Sequence, residues 1–287
     1  MAELSTPQHE VLIENRSGWF RIEARELWEY RDLLVLLVRR DLLARYQQTL
    51  LGPLWHLLQP VLTTLVFALV FSRFAGIPTD GVPAPLFYLC GLLGWNYFAQ
   101  NVVGSGGAFI NNQQLFSKVW FPRLIAPMAI VAANLITVAL QLVPFLAFFA
   151  YYKLFGTSAG NVHLGWSALL APLPLLHLAA LSLGIGLCLA ASTARYRDAM
   201  HLTQYVVQLW LFATPIIYPL SHVPERWGWL IRANPVSAPI ETLRWCLLGR
   251  GTIDPGALGW SVGVTVVLLF AGVFAFQNAA RSAVDTV

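Results

Sequence analysis

From residue 54 onward the chain is dominated by long, uninterrupted apolar runs, and the short stretches between them carry most of the charges and many prolines. A run of about 20 residues is what an α-helix needs to cross about 30 Å of hydrocarbon. Continuous rather than alternating apolarity excludes a transmembrane barrel. Six spans are predicted, at about 54–75, 86–108, 124–151, 166–191, 200–219 and 257–277. Ahead of them the pattern changes. Residues 1–20 are polar and read as a flexible N-terminus. Over 21–47, Leu27, Leu34, Val38 and Leu42 recur at helical spacings against Arg25, Arg31, Asp32, Arg39 and Arg45, which predicts an amphipathic helix. Such a helix suits the membrane interface, with Trp28 and Tyr30 at headgroup depth, and equally suits docking on a soluble partner; the two are compatible.

The stretch between the fifth and sixth spans fits neither pattern. It holds Glu225, Arg226, Arg232, Glu241, Arg244 and Arg250, too many charges for an ordinary span, yet also Trp227, Trp229, Leu230, Trp245 and Leu247. Pro224, Pro235 and Pro239 interrupt it. Paired re-entrant helices over 220–250, dipping into the membrane from the outer side and returning, fit this composition provided protein or water shields their backbone. An amphipathic pair lying flat on the surface is the alternative.

Composition supports the membrane class. The 287 residues are 57% hydrophobic and only 11% charged, against about 25% charged in soluble domains. The net charge of +4 would suit nucleic acid in a soluble protein. Here the basic residues gather at one end and between apolar runs, so they report topology and no nucleic-acid partner is expected. With six spans, the side holding the termini carries twelve Lys and Arg, among them Arg39, Arg40, Arg45, Lys118, Arg123, Arg195 and Arg281, and the other side six. Both termini are therefore expected in the cytoplasm. No cleavable signal peptide is expected either, because the first 50 residues are charged throughout. Cys90, Cys188 and Cys246 are far apart and have neither metal nor disulfide spacing.

Several chemistries are missing from the sequence. Lys118 and Lys153, the only lysines, follow no glycine-rich run, so the chain has no phosphate loop of its own. The six histidines are scattered, H-E-x-x-H and G-x-S-x-G do not occur, and the aspartates never pair as D-x-D. No catalytic residue, metal or cofactor is expected in this chain. What remains is a set of polar and aromatic faces within the spans. Tyr88, Trp95, Phe98, Asn101 and Ser105 align in the second, Asn134, Thr137, Gln141 and Pro144 in the third, and His201, Tyr205, Gln208 and Phe212 in the fifth. Such faces point at a partner helix or at a wet cavity, because polar groups facing lipid cost free energy. Rings and amides together suit a sugar chain, and helix–helix glue is the plainer use. Ser182, Gly186 and Ala190 form a small-xxx-small series for close packing, within the chain or across a dimer, and His177 is expected to hydrogen-bond inside the bundle.

Four motifs, in order, resemble one family. Arg45-Tyr46-Gln47-Gln48-Thr49 with Leu51-Gly52-Pro53-Leu54-Trp55 and Gln59-Pro60 resembles the start of the first span in ABC-2 permeases that export polysaccharides. Lys118-Val119-Trp120-Phe121-Pro122-Arg123 resembles that family's loop after span two, and Ala194-Arg195-Tyr196-Arg197-Asp198 its loop after span four. Thr214-Pro215-Ile216-Ile217-Tyr218-Pro219, Asn234-Pro235 and Glu241-x-x-Arg244 resemble the outer end of span five and the segment after it. The resemblance covers roughly residues 25–280. It implies a transmembrane domain over 48–280, two copies of the chain, two copies of a separate ATPase subunit that holds ATP and Mg, and a lipid-linked polysaccharide as cargo. It also implies that Asn112, Gln114, Phe116 and Lys118 lie in a coupling segment against the ATPase. Trp227, Trp229, Glu241 and Arg244 would belong to an outer gate. The lipid phosphate would meet Arg39, Arg40 and Arg45, whose planar forks bind phosphate oxygens bidentately; the same arginines are also accounted for by positive-inside charge alone. The path would run along Tyr88, Trp95, Phe98, Asn101, Asn134, Thr137, Gln141, His201, Tyr205, Gln208 and Phe212. Export of a small amphipathic compound, or a multispan transferase acting on lipid-linked sugars, are the rival functions.

Overall fold

The computed structural model describes residues 24–47, 50–155, 164–196 and 198–282. The stretch 1–20, the first residues of 21–47, Gln48, Thr49 and Arg197 lie outside the described residues. Every regular element among the described residues is helical.

The segment read as one amphipathic helix is two. Helix α1 (Ala24–Glu29) and helix α2 (Arg31–Tyr46) meet at Tyr30, whose φ of −91° and ψ of 17° leave the helical well. Leu34, Leu37 and Val38 of α2 turn towards Phe121, Ile125 and Ala129, so this apolar face covers protein. Trp28, Val35 and Leu36 stay exposed. Helix α3 (Trp55–Phe67) continues as wider turns over Ala68–Phe74, where Ala75 N–H bonds back to the Val70 carbonyl at 2.9 Å. Helix α4 (Ala84–Gly106) is followed by two short pieces, α5 (Ala108–Asn111) and α6 (Gln113–Lys118). Then come α7 (Ile125–Phe155), α8 (Pro172–Arg195) and α9 (Ala199–Trp210). Two short helices, α10 (Glu225–Ala233) and α11 (Ser237–Leu248), precede the last, α12 (Pro255–Ser282).

Four helical stretches among the described residues are long and apolar enough to cross a membrane: Trp55–Phe74, Ile125–Phe155, Trp166–Arg195 and Pro255–Arg281. They coincide with four of the six predicted spans. The other two differ for separate reasons. Helix α4 is long enough, but its line of Gly, Trp, Asn, Tyr and Gln is less apolar. It tolerates this because 16 of its 23 residues are buried by the helices around it. The predicted span 200–219 is not one helix. Helix α9 has 12 residues, about 18 Å at 1.5 Å per residue, and turns follow it. Pro215 and Pro219 cannot donate the backbone bonds that would continue it.

Helix ends fall into two groups. At one end Arg40 Nη2 donates to Asn112 Oδ1 at 3.0 Å, Thr193 Oγ1 to the Gly106 carbonyl at 2.6 Å, and Arg123 Nη1 to the Ala280 carbonyl. This gathers α2, the 106–123 connection and the C-terminal ends of α8 and α12. At the opposite end Ser221 donates to Asp80 at 2.8 Å, Ser167 to the Cys246 carbonyl at 3.0 Å, and Trp260 Nε1 to the Ala233 carbonyl at 3.0 Å. Helix α4 and the segment 199–217 run between the same two ends as the long spans.

Packing within the bundle rests on small residues, because in lipid the gain comes from close van der Waals contact rather than from exclusion of water. Of the small-xxx-small series, Gly186 lies against Ser105 of α4, where a Cβ would stand 2.5 Å from the serine Cβ. The series thus serves packing within the chain. Helices α8 and α12 cross backbone to backbone at Gly184 and Gly272: a Cβ on Gly184 would lie 2.8 Å from the Leu268 carbonyl carbon. His177 bonds inside the bundle as expected, 3.0 Å from Thr265 Oγ1 and 3.1 Å from Ser261 Oγ. Thr265 also donates to the Ser261 carbonyl at 2.7 Å and Ser261 to the Pro235 carbonyl at 2.5 Å, so the imidazole belongs to a polar network that ties α8 to α12.

Candidate functional site

A polar cavity of about 340 Å³ opens between α2, α3, α4 and α7. Helix α3 supplies its longest wall. His56, Gln59, Pro60 and Thr63 stand at i, i+3, i+4 and i+7, one face of the helix. Thr63 lies about 12 Å along the axis from Trp55, so the cavity reaches well into the apolar zone. Pro60, inside the helix, has no N–H to donate to the His56 carbonyl, so the helix's own hydrogen-bond ladder is interrupted beside the cavity. Asn96 and Gln100 of α4, four residues apart, form a second wall, Gln141 of α7 a third, and Arg45 at the end of α2 brings the positive charge. Among the described residues, no acidic side chain lines it.

Gln141 is buried, and its Oε1 has no hydrogen-bond partner among the described residues. On the same face of α7 and two turns away, Asn134 Nδ2 donates to Asn101 Oδ1 at 2.8 Å, while Asn134 Oδ1 and Asn101 Nδ2 have no partner among the described residues. Thr64 Oγ1, also buried, is a further unpartnered group on α3. An unsatisfied buried polar group costs about 1–3 kcal/mol, so this seam is held polar at a cost in stability. Its one internal bond is modest. Asn134→Leu is expected to cost about 0.6 kcal/mol and no more than about 1.7 kcal/mol, measured as the loss of unfolding free energy in mixed micelles; a loss above 3 kcal/mol would mean that the pair holds the bundle together.

The path residues named from sequence fall into two sets. Tyr88, Trp95, Phe98, Asn101, Asn134, Thr137 and Gln141 are interior. There the Trp95 and Phe98 rings meet at a tilt with centroids 5.5 Å apart, and Phe98 meets Trp210 edge-on at 5.4 Å. His201, Tyr205 and Gln208 are exposed on the outside of α9, and Phe212 is exposed in the turns after it. The single chain does not bring the two sets onto one surface. Of the three arginines, only Arg45 lines the cavity; Arg40 is held by Asp41 at 2.8 Å and by Asn112, and Arg39 points to the exterior. Sequence reasoning missed His56, Gln59, Thr63, Asn96 and Gln100, although the i, i+3, i+7 polar spacing in the first span is the signal that could have found them.

At the Arg40 end, Asn112 and Phe116 anchor inward. Asn112 donates to the Ala108 carbonyl at 3.0 Å, and Phe116 packs at a tilt against Phe121, centroids 5.5 Å apart, with the Arg123 guanidinium 5.7 Å above the Phe116 ring. Burial lowers the Arg123 pKa from its usual value. Gln114 and Lys118 of the same short segment face outward. At the opposite end, Trp227 and Trp229 are exposed, whereas Glu241 (3% exposed) and Arg244 (2%) are a buried ion pair. Arg244 also donates to the Pro215 carbonyl at 2.8 Å and lies 4.0 Å over the Phe87 ring.

The profile of the family described as ABC-2 type transporter matches residues 32–248. An O-antigen export system permease protein RfbA of Myxococcus xanthus is 32% identical over 257 residues, 88% of this chain and 95% of the relative. An O-antigen export system permease protein RfbA of Klebsiella pneumoniae is 27% identical over 215 residues, 74% of this chain and 79% of the relative. The polysialic acid transport protein KpsM of Escherichia coli is 25% identical over 265 residues, 89% and 96% of the two chains.

Proposed function

This chain belongs to the ABC-2 type transporter family, and from that membership we propose that it is the membrane subunit of an ABC transporter that exports a lipid-linked polysaccharide of the O-antigen kind across the bacterial inner membrane. The observation that carries the reading is the near full-length match to permeases named for O-antigen export and polysialic acid transport. ATP hydrolysis lies on a separate ATPase subunit, present twice, and a second copy of this chain completes the transporter.

The membrane topology in this reading has six crossings, with α4 and the 199–217 segment added to the four long apolar stretches. Helix α4 needs no lipid-facing surface because its neighbours surround it. Both termini lie in the cytoplasm: Arg39, Arg40, Arg45, Lys118, Arg123, Arg195 and Arg281 all belong to one end of the bundle, as the positive-inside rule requires of a cytoplasmic face. The ATPase docks at that end, against the outward Gln114 and Lys118 of α6. Movement of α6 passes to α2 and α7 through Arg40–Asn112 and Phe116–Phe121. The polar and aromatic outer face of α9 is a poor surface for lipid; facing a second copy, it lines the polymer's path. Helices α10 and α11 re-enter from the outside and close that path, with Trp227 and Trp229 on the side towards it and Glu241–Arg244 holding the pair in place.

Purification of the tagged protein from its native membrane in mild detergent tests the central claim. A P-loop ATPase is expected in stoichiometric amount. Its absence across several mild detergents, with the permease intact and monodisperse, would defeat the transporter reading.

A further inference from the structure

The turn between α10 and α11 is held from two sides. On one side Asn234 ties it to the end of α9. Its Oδ1 accepts from Trp210 Nε1 and from the Val236 N–H, both at 3.1 Å. Its Nδ2 donates to the Ala213 carbonyl at 3.1 Å and to Thr214 Oγ1 at 3.0 Å. A primary amide carries both kinds of group on one short side chain, so Asn234 fills this place and Asp or Leu would not. On the other side α12 holds the residues flanking Asn234. Trp260 Nε1 donates to the Ala233 carbonyl at 3.0 Å, and Ser261 Oγ to the Pro235 carbonyl at 2.5 Å. The backbone of Asn234, at φ −70° and ψ 113°, is extended, as a residue before proline prefers, and this ends α10.

The two helices that meet at this turn are held very differently. Helix α11 is buried along most of its length, whereas in α10 only Gly228 and Ile231 are buried. Helix α10 is thus a panel hung on the turn. Helix α12 also reaches the far end of the bundle, where Arg123 of the 106–123 connection donates to the Ala280 carbonyl. Ser261 and Ala280 are about 28 Å apart along the axis at 1.5 Å per residue, and no proline after Pro255 kinks the helix between them. Helix α8 stiffens it through the Gly184–Gly272 crossing and the His177 network. We infer that the Asn234-Pro235 turn is the hinge of α10 and that α12 sets its angle, carrying a displacement of the ATPase-coupling segment to the outer gate. Trp260 and Ser261 are the positioning residues on the α12 side, and Asn234 passes the same movement to the outer end of α9. The inference rests on the export reading above and adds to it a route and the residues that form it.

The test uses the complex of this chain with its ATPase in lipid nanodiscs, carrying one spin label per chain. Glu225→Cys labels the exposed start of α10 and Gln113→Cys the cytoplasmic end. Distances between the labels of the two copies are measured by double electron–electron resonance, without nucleotide and with the non-hydrolysable analogue AMP-PNP. In the otherwise unaltered chain both sites should shift with nucleotide. Ser261→Ala combined with Trp260→Phe should reduce the shift at residue 225 to less than half and leave the shift at residue 113 complete. Asn234→Asp, which keeps the two accepted bonds and loses the two donated ones, should do the same. Thr242→Val, which removes a hydroxyl bonded within α11 to the Ala238 carbonyl, should change neither. ATP hydrolysis should stay within twofold of the parent in the first two variants while polymer export falls at least fivefold, a split that loss of stability alone does not produce. If the paired substitution prevents assembly, Ser261→Ala alone and Asn234→Asp carry the comparison. A full shift at residue 225 in the hinge variants, or no shift there in the parent complex, would overturn the inference. A parent that exports polymer while the hinge variants respond as it does defeats this inference alone, whereas a parent complex that exports no polymer defeats the export reading.

Discussion

Arg244→Ala is expected to destabilise the protein by about 3–5 kcal/mol, the cost of leaving one member of a buried ion pair without its partner. Glu241 is 3% exposed and has Arg244 as its ion-pair partner among the described residues, so removing the guanidinium strands a carboxylate away from water. Two further contacts disappear with it. The Pro215 carbonyl loses its donor, the Phe87 ring loses a cation 4.0 Å from its centre, and α11 loses its tie to both α4 and the turns after α9. Lysine should rescue poorly, since a point charge cannot reach Glu241 and Pro215 while lying flat on Phe87. The double replacement Arg244→Met with Glu241→Gln should be clearly milder than Arg244→Ala, because no unpaired charge remains. Denaturation by SDS in mixed micelles, followed by tryptophan fluorescence, measures all three. A single-variant cost under 1 kcal/mol would show that the pair is not buried in the membrane-embedded protein.

Gly184→Val should be comparably severe and by a different cause. Its Cβ would stand 2.8 Å from both the Leu268 carbonyl carbon and the Leu269 nitrogen. Overpacking a core costs about 1–3 kcal/mol where side chains can shift; here the obstacle is backbone, so α8 and α12 must separate. Gly272→Ala, which would press a methyl group onto the Gly184 carbonyl, should fail in the same way. Gly263→Ala, on the same α12 but with nothing within 4 Å of the added carbon, should stay within about 1 kcal/mol of the parent. Size-exclusion profiles after a heat series separate the outcomes: the first two variants should lose their monodisperse peak many degrees earlier, and the third should not. Similar behaviour of all three would remove the close crossing from the account of this fold.

Much of the architecture was legible because lipid imposes a simple length rule. The four long apolar stretches could be read from run length alone, and the pairing of charges with tryptophans between 220 and 250 announced short helices there. Two elements resisted for opposite reasons. Helix α4 reads as one span among six, although it is the helix the others surround; hydropathy records what a segment is made of and not what covers it. The span at 200–219 reads as one helix, whereas the regular helix ends at Trp210 and turns follow it, an end that Thr214-Pro215 and Pro219 already mark. The site shows the same division. Arg45 was singled out with Arg39 and Arg40 because charge is visible in sequence. That Asp41 and Asn112 claim Arg40 depends on α2 lying beside the 106–123 connection. The polar spacing of His56, Gln59 and Thr63 was visible but had no meaning until α4 and α7 brought Asn96, Gln100 and Gln141 opposite.

Half of the cavity's lining hangs on the helix that the rest of the chain holds least. Only 11% of the apolar window in Trp55–Phe74 is buried, against 50% in Ile125–Phe155. Two of the cavity's walls are thus set in a stiff frame and the third is a hinged panel. Swinging α3 outward by a few ångströms sacrifices few interior contacts, because α3 has few to lose, whereas an equal displacement of α4 would tear open the centre of the bundle. The cavity's width is therefore the dimension fixed by the fewest interior contacts, and a displacement of α3 would alter it without any change in the packed core.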